Sequence, residues 1–195
     1  MSQVILNPSA DTVLISSNPT TNYGTSVNFS VGELNGGVRI DRSLIKFDLS
    51  AYTGLAVSVA TLRLYDTGGD YTNNTRTMIL YRLKRAWTEA GATWNKYDGT
   101  NDWGTAGAGN ASTDYDNNLV GSISMLNPPS AGYVDITITP SYVNEWLNGT
   151  MTNNGFSLYM QTETDDLHEF YSRDNGSNKP ELVLTFPDSG FFALL

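Results

Sequence analysis

An all-β fold, an antiparallel two-sheet β-sandwich of jelly-roll type with one short helix near residues 140–148, is what this sequence predicts. Three observations predict it. Apolar residues recur at every second position in six separate runs, turn-forming clusters punctuate those runs, and the long 3.6-period segments that a parallel sheet needs as crossovers are missing. The 195 residues are enough for one substantial core, and the chain reads as a single domain over 1–188 followed by an apolar tail, 189–195.

Taken in order, "SVNFSVG" puts Val27, Phe29 and Val31 on one face, "SLIKFDL" does so with Ile45, Phe47 and Leu49, and "ATLRLYD" with Leu62 and Leu64. Later runs align Val134, Ile136 and Ile138, then Phe156, Leu158 and Met160, then Leu182, Leu184 and Phe186. Each is the pattern of a strand with one face in a core. "NPTTNYG", "NGG", "DTGG", "NPP", "TNNG" and "DNGS" supply the turns between them. In "TPSYVNEWLNG", Thr139 stands at the N-cap position, Pro140 suits the first helical turn and Gly149 suits a left-handed stop. Val143, Trp146 and Leu147 then share one face, which predicts a helix lidding one end of the sandwich.

Charge narrows the function. The net charge is −9, and the imbalance is concentrated: residues 97–195 hold two Lys/Arg against thirteen Asp/Glu, whereas residues 1–96 hold nine against seven. Nucleic acid and anionic membranes need clustered positive charge, so neither is an expected partner. With no cysteine, disulfides and thiolate chemistry are excluded, and the single His168 excludes a multi-histidine metal site. His168 reads as a solvated residue of a hairpin turn. No signal peptide is visible in "MSQVILNPSADT".

The segment "AWTEAGATWNKYDGTNDWGTAG" (86–107) carries three of the four tryptophans. Trp87 and Trp94 read as anchors that hold a long irregular loop on the core. Tyr97 and Trp103, among Lys96, Asp98, Asn101 and Asp102, are the candidates for stacking on a sugar ring while the polar neighbours bond its hydroxyls. Oxygen-rich loops offer a place for a structural calcium, although no cofactor is required. "TDYDNN" supplies Asp114, Asp116 and Asn118 and is preferred over "TETDDLHEF" with Glu163, Asp165, Asp166 and Glu169; neither matches a full EF-hand pattern. Twenty acidic residues guarantee chance carboxylate pairs, and nothing singles out one pair for glycoside hydrolysis, so no enzyme is expected.

Six stretches, "NYGTSVNFSVG", "DRSLIKFDLS", "ATLRLY", "AWTEAGATWN", "VNEWLNG" and "FYSRDNGSNKPELVLTF", resemble in this order the signatures of the DNRLRE (disaggregatase-related) domain over residues 10–186. The resemblance implies a non-catalytic β-sandwich module of the kind attached to extracellular polysaccharide-degrading enzymes, some relatives of which recognise alginate. Basic residues on its motifs are Arg42, Lys46, Arg63 and Arg173, with Arg82, Lys84 and Arg85 nearby. Arg42 beside Asp41, and Arg173 beside Asp174, read as halves of ion pairs, and Arg173 is also the candidate contact for an acidic sugar. The chain starts with Met, shows no leader and ends in "GFFALL", so it reads as a complete small reading frame. The expectation is therefore a surface module acting in assembly or attachment, a bacteriophage capsid decoration or tail component that also binds glycans. Phe191, Phe192, Leu194 and Leu195 would be its contact with other virion or surface proteins or with a second copy. The alternative is a carbohydrate-binding module acting with polysaccharide-degrading enzymes. Either way the place is extracellular or a virion surface.

Overall fold

The computed structural model of the chain describes residues 1–34, 36–68, 71–72, 75–125 and 130–188. The apolar tail residues Phe191, Phe192, Leu194 and Leu195 lie outside the described residues. Among the described residues twelve strands are formed: β1 (Ser2–Leu6), β2 (Ala10–Ile15), β3 (Asn28–Leu34), β4 (Arg39–Lys46), β5 (Val59–Asp66), β6 (Tyr71–Thr72), β7 (Arg76–Leu83), β8 (Tyr115–Met125), β9 (Gly132–Ile138), β10 (Phe156–Met160), β11 (Asp166–Tyr171) and β12 (Glu181–Phe186). An α-helix, α1 (Pro140–Leu147), lies between β9 and β10, and a single 3-10 turn spans Ser50–Tyr52.

All ladders are antiparallel, in the order β1-β12-β5-β11-β3-β4-β10-β7-β8, with β2 on β4, β6 on β11 and β9 on β5. The described strands thus make one continuous sheet, where two separate sheets were expected. The joint is β4: its residues 43–45 pair with β10 while residues 39–41 pair with β3, so hydrogen bonding carries across the turn. A second seam is the single pair Asp66↔Phe170 between β5 and β11. The sheet curls until the inner faces of its two halves meet, and Phe29, Ile45, Leu62, Met78, Leu80, Ile136, Phe156, Phe170 and Leu184 share one cluster.

The alternating runs supply that cluster as their period requires, with one exception: Val27 precedes β3 and is 54% exposed. In α1, Val143, Trp146 and Leu147 are buried, Trp146 packing 4.8 Å from Phe156, and Gly149 stops the helix at φ 77°. Thr139 makes no side-chain cap. Instead Asn144 ties α1 to the sheet, accepting from Val57 N–H at 2.8 Å and donating to Val57 O at 3.1 Å.

His168 corrects the expectation of a solvated turn. It sits inside β11 on the same face as Phe170, because residues two apart in a strand point the same way. The ring is fully buried, with Nδ1 3.1 Å from Asp66 Oδ2 and Nε2 3.6 Å from Asp166 Oδ1.

Candidate functional site

The outer face of the β4–β10–β7 half is divided. One part carries Leu14, Leu44 and Leu83, and the segment between β7 and β8 folds over it, bringing Trp87, Ala92, Trp103 and Ala108 into a second apolar cluster. Both indoles are anchored by their one donor, Trp87 Nε1 to Asn154 O at 2.8 Å and Trp103 Nε1 to Thr93 O at 2.9 Å. Trp103, only 5% exposed, therefore offers no free face to a sugar, contrary to the expectation from its polar neighbours.

Those neighbours are occupied in closing the same loop. Lys96 Nζ bonds Thr100 O and Asp102, Asn101 is held by both oxygens of Asp98, and Tyr97 packs 5.7 Å from Trp103 with Arg85 over its other side. Lys96, Tyr97, Asn101 and Trp103 do come together, but the two rings pack inward on the apolar cluster while Lys96 and Asn101, at the surface, are taken up by Thr100, Asp102 and Asp98. Arg173 is elsewhere: its Nη1 bonds Glu89 and Ser9 O, so its partner is Glu89 and not Asp174.

Asp114 holds the segment's return to the sheet. Fully buried, its carboxylate accepts from the backbone N–H of Gly104 (2.7 Å), Thr105 (3.1 Å) and Asn110 (3.0 Å) and from the Thr113 hydroxyl, with Arg85 Nε at 3.4 Å. Asp116 faces the buried Arg82 at 2.6 Å and binds Asn118. Of the calcium set expected from the sequence, Asp114, Asp116 and Asn118, both carboxylates are thus engaged by N–H donors of the protein itself, Asn118 among them.

One group of acids among the described residues does sit close enough to share an ion, namely Asp11, Glu89 and Asp174. A cation is already there, since Arg173 donates its backbone N–H to Asp11 and its guanidinium to Glu89. Burial pushes the Asp11 carboxyl from 3.8 up to about 7, opposed by the Arg173 N–H and assisted by the charges of Glu89 and Asp174. Between these values the folded protein keeps a proton that the unfolded chain has released. Its stabilisation is complete below about pH 4 and lost as pH rises through about 7. The melting temperature should therefore fall between about pH 4 and 7, by on the order of 1 kcal/mol of stability per pH unit across that range, and level off above it. Asp11→Asn, which keeps an oxygen for the Arg173 N–H, should flatten that slope in thermal melts.

Beside the tryptophan segment the outer face stays open as a groove of about 220 Å³ lined by Arg42, Ile79, Tyr81, Gly109, Tyr115, Tyr159, Gln161 and Glu163. Three tyrosine rings meet in it: Tyr81 lies 4.7 Å from Tyr115 and 6.0 Å from Tyr159, and Tyr115 lies 5.6 Å from Tyr159. Tyr159 is the floor, buried, its hydroxyl donating to Ala108 O at 2.6 Å, and burial raises its phenol above the ordinary range. Tyr81 and Tyr115 are half-buried walls. Wider hollows of about 550 Å³ beside Tyr133 and about 500 Å³ beside Lys46 gather no comparable set of rings.

Arg42 closes one end. Its Nε and Nη2 form a fork on Glu163 at 2.7 and 2.9 Å, Nη1 donates to Gly107 O at 3.0 Å, and its guanidinium lies between the rings of Trp94 (5.3 Å) and Tyr159 (4.9 Å). Burial opposes its charge, but Glu163 outweighs burial and holds the guanidinium above its ordinary value. The ion-pair partner is Glu163 and not the adjacent Asp41, which Arg39 takes. Gly107 makes this possible: its φ is 72°, and a β-carbon there would come within 2.6 Å of the Trp94 ring.

Residues 2–186 match carbohydrate-binding module family 96. The chain belongs to that family. The match covers all of the strands described above, from β1 to β12, and a comparison with curated proteins finds no match. A carbohydrate-binding module is a non-catalytic kind of domain, and the one carboxylate lining the groove, Glu163, is paired with Arg42.

Neither Tyr81, Tyr115 nor Tyr159 is among the residues that composition and loop spacing single out. A signal exists all the same. In "MILYRL", Ile79 and Tyr81 fall on the parity opposite to Met78 and Leu80, and in "LYMQ", Tyr159 and Gln161 oppose Leu158 and Met160. Aromatic residues on the solvent parity of neighbouring strands are what mark this face.

Proposed function

We propose that the tyrosine-lined groove is where this family 96 module binds polysaccharide, acting as the targeting part of extracellular polysaccharide turnover. The observation that carries the reading is the contact of Tyr81, Tyr115 and Tyr159 in one open groove on a rigid sheet. Phenol rings stack on the C–H faces of sugars, and amide and hydroxyl groups such as Gln161 bond their hydroxyls. An enclosed small-molecule pocket runs to roughly 300–1,000 Å³. This groove is smaller and open to solvent, which suits one or two residues of a chain that continues past it.

The six DNRLRE-like signatures in order support treating residues 2–186 as one module. The reading put first on the sequence, a virion assembly or attachment protein, places its contacts at Phe191, Phe192, Leu194 and Leu195, outside the described residues, and the family match favours the carbohydrate-binding alternative over it. Affinity electrophoresis tests the proposal: a gel containing the cognate polysaccharide retards the wild-type chain, and Tyr115→Ala migrates as in a plain gel.

A further inference from the structure

We propose that His168 and Asp166 bind one divalent transition cation, zinc being the best fit, and that Asp66 orients the histidine for it. The observation that carries this is the state of Asp166. Six carboxylates are buried among the described residues, and five of them have donors. Asp11 takes the Arg173 N–H, Glu33 those of Gly37 and Asp165, and Asp41 the Ser30 hydroxyl and Arg39. Asp66 takes the Gly68 N–H, and Asp114 those of Gly104, Thr105 and Asn110. Asp166, fully buried at the start of β11, has no hydrogen-bond donor on either side-chain oxygen. A buried carboxylate in that condition needs a proton or a cation.

Geometry favours the cation. His168 Nε2 lies 3.6 Å from Asp166 Oδ1, too far for a proton on either atom to be shared in a hydrogen bond. It is the right separation for two ligands of one ion: with bonds of roughly 2.0–2.2 Å, the two atoms subtend about 110–130° at the metal, near the tetrahedral preference of zinc. On the other side of the ring, Nδ1 lies 3.1 Å from Asp66 Oδ2. A carboxylate on one imidazole nitrogen fixes the tautomer, with the proton on Nδ1 and the Nε2 lone pair turned to the metal, and raises the basicity of the ring. Charge points the same way. Burial raises the Asp166 carboxyl above the ordinary carboxylate range, opposed by His168 and Arg76, and the buried Glu33 stands opposite it in the β3 register. Arg76 does not pair with Asp166: its Nη2 is spent on Thr164 O and Oγ1. One imidazole nitrogen beside a carboxylate selects a borderline ion such as Zn²⁺ over Ca²⁺ and Mg²⁺, which take shells of oxygen. The place suits a clamp. β5 and β11 are joined by the single pair Asp66↔Phe170, and an ion on Asp166 and His168, with Asp66 behind the ring, ties the two strands through side chains where the ladder is thinnest. Nothing in this depends on the groove or its ligand.

The test uses the full chain, stripped of metal and carrying no histidine tag, with Zn²⁺ as the probe and Ca²⁺ and Mg²⁺ beside it. His168 is the only histidine, so its ring nitrogens report alone in a long-range proton–nitrogen correlation spectrum. Zn²⁺ should shift the Nε2 signal and leave the proton on Nδ1, saturating at one equivalent. The melting temperature should rise by about 5 °C or more at a hundredfold excess of Zn²⁺ over its Kd, and by less with Ca²⁺ or Mg²⁺ at the same concentration. Asp166→Asn keeps the shape and loses the charge, and should weaken Zn²⁺ at least about tenfold in calorimetric titration; Asp66→Asn should weaken it by about tenfold through the histidine. An imidazole that does not respond to Zn²⁺ overturns the proposal, and so does equal Zn²⁺ affinity in a folded Asp166→Asn. Binding that leaves the imidazole untouched and is lost in Glu89→Gln would put the ion at Asp11, Glu89 and Asp174 and overturn it as well. The imidazole spectrum is read on the wild type, so it decides the matter even if no variant folds.

Discussion

Asp114→Ala is expected to lower the stability of the protein by about 3–5 kcal/mol, because one truncation removes the buried acceptor that several part-buried donors share. The backbone N–H groups of Gly104, Thr105 and Asn110, the Thr113 hydroxyl and the Arg85 guanidinium all converge on that carboxylate. An unsatisfied buried N–H costs about 1–3 kcal/mol, and a methyl group replaces none of these bonds. For a chain of this length the loss corresponds to a fall of about 10 °C in melting temperature. Asp114→Asn keeps one acceptor oxygen and should lie between the two. Had Asp114 been a calcium ligand, a chelator would reproduce the effect of the alanine. With its oxygens held by N–H groups, removal of calcium is expected to leave the melting curve of the wild type where it is.

The second large effect is at Trp103. Trp103→Ala should cost about 3–5 kcal/mol, the range for deleting a buried aromatic side chain and leaving a cavity. The indole fills the space over Leu14, Leu44 and Leu83 and closes one more buried bond through Nε1 to Thr93 O. A sugar platform and a core plug make opposite predictions for the same substitution. A platform leaves the melting temperature unchanged and abolishes binding; a plug lowers the melting temperature by about 10 °C whether or not a glycan is present. Thermal denaturation followed by circular dichroism separates them without any ligand. An unchanged melting temperature would contradict the buried placement.

The two substitutions also mark where a linear reading runs out. Period-two alternation is a local property, so the inner faces of β3, β4, β5, β10 and β12 were legible from "SVNFSVG" to "ELVLTF", as was the apolar face of α1 with its Gly149 stop. Residues 84–114 follow no period. Whether Trp103 faces water or the sheet depends on Leu14 and Leu44, about 60–90 positions away in sequence, and on the loop closure made by Lys96 with Asp102. The fate of Asp114 is set by backbone N–H groups, which carry no signature in side-chain chemistry. An acid-rich stretch therefore looks like a cation site when it is a knot of accepted hydrogen bonds. His168 is the opposite case: two residues from Phe170, it shares the core face once 166–171 is read as a strand and not as a turn.

The groove itself depends on both kinds of information. Its tyrosines lie on the solvent parity of β7 and β10 and at the start of β8, legible once strand register is known. Its end wall, where Arg42 meets Trp94 and Tyr159 and forks onto Glu163, is assembled from three distant segments and appears only in three dimensions.

The most direct test of the account is the dissociation constant of Tyr115→Ala beside that of Tyr97→Ala, each confirmed folded, for the polysaccharide that retards the wild type. Loss of one stacking ring should weaken binding by about tenfold or more in Tyr115→Ala, whereas Tyr97→Ala, whose ring packs on the Trp103 cluster, should bind as the wild type does. Wild-type affinity in Tyr115→Ala together with a loss in Tyr97→Ala would place the ligand on the tryptophan loop and contradict the groove.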